Sequence, residues 1–162
     1  MTQPAHYTNK SIDKYAEAIG EHNHLYRADG SADLDALLSR LGGTIAYAEG
    51  PESLQVEQPG QFTVFLPHFT STARDKFTIA HELGHYFLHY QLQKLEGPKR
   101  FGRGERNRAE TEANVFASAL LMPRTHFVRV WADLGGDEWA VARHFEVSPA
   151  AAGVRAQVLG LR

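Results

Sequence analysis

The stretch FTIAHELGHYFLHY, residues 77–90, sets the strongest condition on what this chain can fold into. At about 100° per residue, a helix over it sorts into two faces. Phe77, Ile79, Ala80, Leu83, Phe87 and Leu88 share one broad apolar arc with Gly84; Thr78, His81, Glu82, His85 and His89 share the other. A solvated polar face would also collect His, Glu and Thr. Against it, large apolar residues flank the motif on both sides, which argues for a helix embedded in the fold. An embedded histidine pair with nothing bound to it is costly. His81 and His85, four residues apart, stand one turn above each other and can both reach one cation at about 2 Å. Glu82 points to the side of that pair, where it can contact a water on the metal instead of the metal. Water-activating zinc hydrolysis requires this layout.

The chain has no cysteine. Disulfides, thiolate zinc sites and a cysteine nucleophile are excluded, so any metal is held by His and carboxylate. Catalytic zinc typically takes three protein ligands and leaves a fourth position open to water. The third candidate lies in AETEANVFASALLMP, residues 109–123, where Ala113, Phe116, Ala117, Leu120 and Leu121 define an apolar face. Glu110 projects within that arc, and a carboxylate there needs a partner. The plainer reading is a first-turn carboxylate favoured by the helix dipole. Glu112 falls outside the arc and reads as a solvated helix residue. Asn114, one turn on from Glu110, either accepts the remaining N–H of a metal-bound histidine or sits on the surface. His89 reaches the site or plays a buried hydrogen-bonding role; it is not counted among the ligands. Arg74, Tyr86, His89 and Tyr90 are equal candidates for stabilising a transition state.

The 162 residues make one domain's worth of chain with room for a small appended lobe. With 43% hydrophobic and 22% charged residues the core is ordinary in size, and a formal net charge of −2 gives no bulk reason to expect nucleic acid or an anionic membrane as partner. The N-terminus shows no basic-then-apolar signal, and no apolar run approaches the roughly 20 residues that span a bilayer. A cytoplasmic protein is expected.

Helical spacing marks SIDKYAEAIGEHNHLYR (11–27) and SADLDALLSRL (31–41), the latter with Ser31 or Asp33 as N-cap and Gly42-Gly43 as its end. Strands are expected at 44–48, 53–56 and 61–66, separated by turns at Gly50-Pro51 and Pro59-Gly60. The last of these, QFTVFL, alternates like a half-buried strand, and its exposed edge is expected to pair with substrate backbone. Residues 93–108, QKLEGPKRFGRGERNR, are basic, Gly-rich and without periodicity, and read as a mobile loop. Within 91–109, Lys94, Lys99, Arg100, Arg103, Arg106 and Arg108 oppose Glu96 and Glu105: a solvated loop, or a lid beside the metal that greets an acidic substrate segment or a DNA-bound repressor. Helical patterns resume at 109–121 and through the tail. The expected division is a metallopeptidase core over 1–123 and a helical extension over 124–162.

FTIAHELGHYFLH followed by ETEANVFASALLMP resembles the ImmA/IrrE family of zinc metallopeptidases, over most of residues 31–123. Carried over by position, the resemblance implies one Zn²⁺ per chain held by His81, His85 and Glu110. It makes Glu82 the general base and gives Asn114 the place that supports the first zinc histidine. It implies an α+β fold: a small gluzincin-like core, mostly helical with a short antiparallel sheet, followed by a C-terminal helix-turn-helix-like extension. Family members typically act inside the cell by cleaving a partner helix-turn-helix repressor, which switches on stress or mobile-element genes. As a DNA reader the tail is weak, offering Arg155 and Gln157 and little else, so direct DNA binding is not expected. The rival readings are a non-catalytic repressor-binding or DNA-binding module with a structural metal site, and a toxin-like partner of a neighbouring repressor.

Overall fold

The helix that carries the histidines begins where Ser71 caps it, Oγ accepting from the Arg74 amide at 3.1 Å. In the computed structural model, which describes residues 7–102 and 107–162, this helix (α3) spans Thr72–Gly84. From His85 the backbone continues as a π-helix, His85–Gln91, whose wider turn recurs in proteins at functional sites. Before it lie α1 (Asn9–His22), α2 (Leu34–Leu41) and three strands: β1 (Gly43–Tyr47), β2 (Ser53–Gln58) and β3 (Gln61–Leu66). Asp33, not Ser31, caps α2. Gly42 ends it at φ +85°, a left-handed position where a Cβ would also lie 1.8 Å from the Gly60 carbonyl oxygen.

Two expectations fail in the sheet. Its order is β1-β3-β2-β4, so QFTVFL, as β3, is central and has no free edge: it pairs parallel with β1 and antiparallel with β2. The proposed substrate-pairing role of that strand is withdrawn. The stretch read as a loop contains β4 (Lys99–Gly102), antiparallel to β2 with Leu54 opposite Phe101. Its apolar content is one phenylalanine among basic residues and glycine, too little to register as a strand pattern; partner hydrogen bonds make the strand. The fold is α+β as expected. The sheet is mixed rather than purely antiparallel, because β1 enters beside β3 in the parallel sense.

Asn107 caps α4 (Arg108–Leu121) by accepting from the Glu110 amide at 3.0 Å. The tail forms α5 (Arg124–Asp133), α6 (Glu138–Phe145) and α7 (Pro149–Val158), the last opened by Ser148 as cap with Pro149 in its first turn. Phe127, Val141, Phe145 and Ala156 share one buried cluster with Leu83, Phe116 and Leu120. Arg155, offered by the sequence as a DNA contact, is 1% exposed. It donates to the Met122 carbonyl at 2.8 Å and to Asp13 at 3.0 Å, tying α7 to the end of α4 and to α1. No described helix is long and apolar enough to cross a membrane.

The site depends on how closely α3 approaches α4. At Gly84 a Cβ would meet the Ala113 backbone at 3.1 and 3.2 Å and the Phe116 Cβ at 3.2 Å. Alanine there gains up to about 1 kcal/mol of helix propensity, which offsets much of its crowding. A larger side chain has no such room. Gly84→Leu is expected to lower unfolding free energy by about 2–3 kcal/mol in denaturant melts, with Gly84→Ala losing far less. Equal stability of Gly84→Leu and the parent would show that the helices are not held at this distance.

Candidate metal centre

Because α3 and α4 cross at Gly84 and Ala113, residues one turn either side of the crossing face each other. His81 and His85 come from α3 and the π-helix start; Glu110 and Asn114 come from α4. The Glu110 carboxylate lies between the two imidazoles, Oε2 at 3.2 Å from His81 Nε2 and Oε1 at 2.8 Å from His85 Nε2. The ligand atoms of His81, His85 and Glu110 all fall within 4.8 Å of one another. The expected trio therefore converges. Among the described residues no fourth His or carboxylate joins that group, as a centre with an open coordination position requires.

The rings are turned by their far nitrogens. His81 Nδ1 is 2.8 Å from Asn114 Oδ1, and His85 Nδ1 is 2.9 Å from His89 Nδ1. Both Nε2 atoms consequently face Glu110. The His81 and His85 rings meet edge to face at 4.9 Å, and Phe101 of β4 stacks on His85 at 5.3 Å with 12° between planes. His85 is 3% exposed. Burial first, and then the neighbouring His81 and His89, push its pKa down to about 3. It is therefore a neutral imidazole at physiological pH, the form that binds metal. Two neutral-nitrogen donors and one carboxylate, with no thiolate, suit zinc and other borderline divalent ions. The donor set fits a metal.

Glu82 is 2% exposed, its Oε1 3.8 Å from His81 Nε2, beside the trio rather than in it. A cleft of roughly 480 Å³ opens on the site, lined by His81, Glu110 and Asn114 together with Arg74, Phe77, Thr78 and Ser148. Of the four candidates for stabilising a transition state, Arg74 lines this cleft. The Tyr86 hydroxyl accepts from the Gly60 amide and from Gln91, and the Tyr90 hydroxyl donates to the Gly97 carbonyl, so both tyrosines are engaged elsewhere.

Glu112 corrects the sequence reading. Instead of standing in solvent it is 4% exposed, and its Oε1 is 2.9 Å from His89 Nε2. Its Oε2 accepts from the Tyr7 amide at 3.2 Å and lies 3.6 Å from Arg108 Nε. The helical wheel misplaced it because an arc drawn through the apolar residues marks one buried face, while α1, α3 and the π-helix all pack against α4. The regular spacing His81, His85, His89 was the signal that a buried partner for the third histidine was needed. Of the basic stretch, Lys99 and Arg100 lie on β4, and Arg103, Glu105 and Arg106 lie outside the described residues.

The sequence profile of the peptidase M78 family, the IrrE N-terminal-like domain, matches residues 49–157. The chain belongs to this family. The match brackets every member of the site and runs through most of the tail helices. In fold, the chain is similar to a transcriptional regulator from Mycobacterium tuberculosis, with a TM-score of 0.64 and 17% sequence identity. That alignment covers 93% of this chain and 47% of the other, so the chain spans about half the length of this neighbour. No curated protein sequence matches significantly. The domain is thus metallopeptidase-like, with a His-His-Glu cluster able to hold a metal ion.

Single substitutions should separate holding the metal from holding the fold. His81→Ala and Glu110→Ala are each expected to reduce bound metal from one equivalent to below a tenth after dialysis, read by elemental analysis, while circular dichroism of the metal-free proteins stays unchanged. Full metal content in Glu110→Ala would remove the carboxylate from the ligand set.

Proposed function

We propose that this chain is a zinc-dependent endopeptidase. The observation that carries the reading is the convergence of two imidazoles and one carboxylate, joined by no fourth His or carboxylate among the described residues, beside a buried glutamate and at the wall of a cleft. A purely structural zinc site is normally closed by a fourth protein ligand. His81, His85 and Glu110 would hold the ion, and zinc in such a place supplies Lewis acidity that makes water a nucleophile near neutral pH and polarises a carbonyl.

The protein's own groups do the rest. Asn114 and His89 fix the faces that the two imidazoles present. Glu82, held out of solvent next to His81, receives the proton of the attacking water and hands it to the amine that leaves. Arg74 offers positive charge along the cleft wall for a carbonyl oxygen or a substrate carboxylate. Peptide substrate enters the cleft past Phe77 and Ser148, which brings the tail helices into contact with what is cut. The substrate we propose is a helix-turn-helix repressor encoded nearby, whose cleavage in the cytoplasm releases stress or mobile-element genes; direct DNA binding is not part of the reading.

The second reading is a regulatory module that binds a repressor or DNA without cutting, its metal serving structure. The name of the M. tuberculosis neighbour, a transcriptional regulator, favours it. The two readings part at Glu82, which a structural site does not use. Glu82→Gln is expected to keep one equivalent of zinc and to slow cleavage of the adjacent repressor by roughly 10²–10⁴-fold. The parent protein should lose the same activity to a chelator and recover it with added zinc. Undiminished cleavage by Glu82→Gln would overturn the role of Glu82. A zinc-loaded parent that binds the repressor and leaves it whole would establish the regulatory reading.

A further inference from the structure

A chain of polar contacts leads inward from α4 to the metal centre: Glu112 Oε1 to His89 Nε2 at 2.9 Å, His89 Nδ1 to His85 Nδ1 at 2.9 Å, and His85 Nε2 to Glu110 Oε1 at 2.8 Å. Every ring nitrogen of the two histidines is used, and the direction of each bond follows from the two ends. An ionised carboxylate only accepts. His89 Nε2 therefore donates to it, and with a metal ion on His85 Nε2 the one proton of His85 sits on Nδ1, so that His89 Nδ1 accepts. The donor to it is His85 Nδ1–H, which leaves the lone pair of His85 Nε2 directed at the Glu110 carboxylate. Two acceptors 2.8 Å apart repel unless a cation or a further proton lies between them.

We propose that Glu112 and His89 are positioning residues that set the tautomer of His85 and so raise the affinity of the centre for its metal. They touch neither substrate nor the ion. His89 and Glu112 are enclosed, with side chains 12% and 6% exposed, so water does not substitute for either. The outer end is itself held: Glu112 Oε2 takes the Tyr7 amide, and the Tyr7 hydroxyl donates to the Leu88 carbonyl next to His89. The other ligand is ordered differently. Asn114 is neutral and has both a donor and an acceptor end, so it orients His81 without adding charge. Negative charge relayed from Glu112 through His89 strengthens His85 as a donor to the ion. His89 lies within the π-helix, its ring 4.9 Å from the His85 ring.

This inference rests on the metal centre and not on peptidase activity, and its test reads zinc affinity and proton position. Competition with a chelating dye should show His89→Leu and Glu112→Leu binding zinc 10–100-fold more weakly than the parent. His89→Gln, whose amide oxygen can accept from His85 Nδ1–H, should recover most of the loss. Long-range ¹H–¹⁵N correlation spectra of the zinc-loaded parent should show His89 protonated at Nε2 and His85 at Nδ1; this measurement stands even if the leucine variants fail to fold. Parent-like zinc affinity in folded leucine variants, or His89 protonated at Nδ1 and bare at Nε2, overturns the relay and leaves the metal centre intact. A parent protein that binds no zinc overturns both.

Discussion

One helix crossing decides most of what this protein is. Gly84 of α3 meets Ala113 of α4 with no room for a side chain between the backbones. The polar contacts from the histidines to α4 span that junction: His81 to Glu110 and Asn114, His85 to Glu110, and His89 to Glu112. Helix axes usually stand 8–10 Å apart, according to the side chains at the contact. A glycine against an alanine lets this pair approach closely, so that carboxylate and amide side chains reach imidazoles on the opposite helix. The apolar residues around the junction, Leu83, Phe116, Ala117 and Leu120, are all buried and keep the polar stripe in register.

The site's electrostatics follow from the same closeness. Burial leaves His85 neutral, and its only ring proton is committed to His89 once Glu112 is charged. A carboxylate then confronts a lone pair. A divalent ion between them satisfies both groups at once, so metal binding and the local fold support one another. Outside the junction, Arg155 does comparable work for the tail, where its guanidinium joins α7 to Asp13 of α1 and to the last turn of α4. This buried pairing removes the most plausible phosphate contact from α7 and directs interest in the tail towards the cleft wall, which Ser148 and Ala151 help to line.

What could be read beforehand was whatever depends on local periodicity. The two faces of residues 77–90 and the arc holding Glu110 placed three ligand candidates that the fold does bring together, and of the two cap candidates offered for α2, Asp33 is the one that starts it. What could not be read depends on partners distant in the chain. β4 exists because β2 offers it an edge, and its Phe101 covers His85 although nothing around PKRFG announces a strand. β3 was expected at an edge because alternation reports which faces are buried and is silent on which neighbours flank a strand. Glu112 looked solvated because a wheel drawn for one contact surface ignores the second. The π-helix left no mark either; its residues satisfy an α-helical pattern equally well.

The central claim is that one ion is shared by His81, His85 and Glu110, with a coordination position left to solvent. X-ray absorption at the zinc edge, on protein loaded with one equivalent, tests it most directly. The account predicts a four-coordinate first shell of nitrogen and oxygen only, two imidazoles at about 2.0–2.1 Å and two oxygens at about 2.0–2.2 Å. Of those oxygens, one should exchange for an added small anion while the other persists, and the persisting one should vanish in a Glu110→Ala protein. A shell containing three or four imidazoles, or one unaltered by loss of the Glu110 carboxylate, would contradict it.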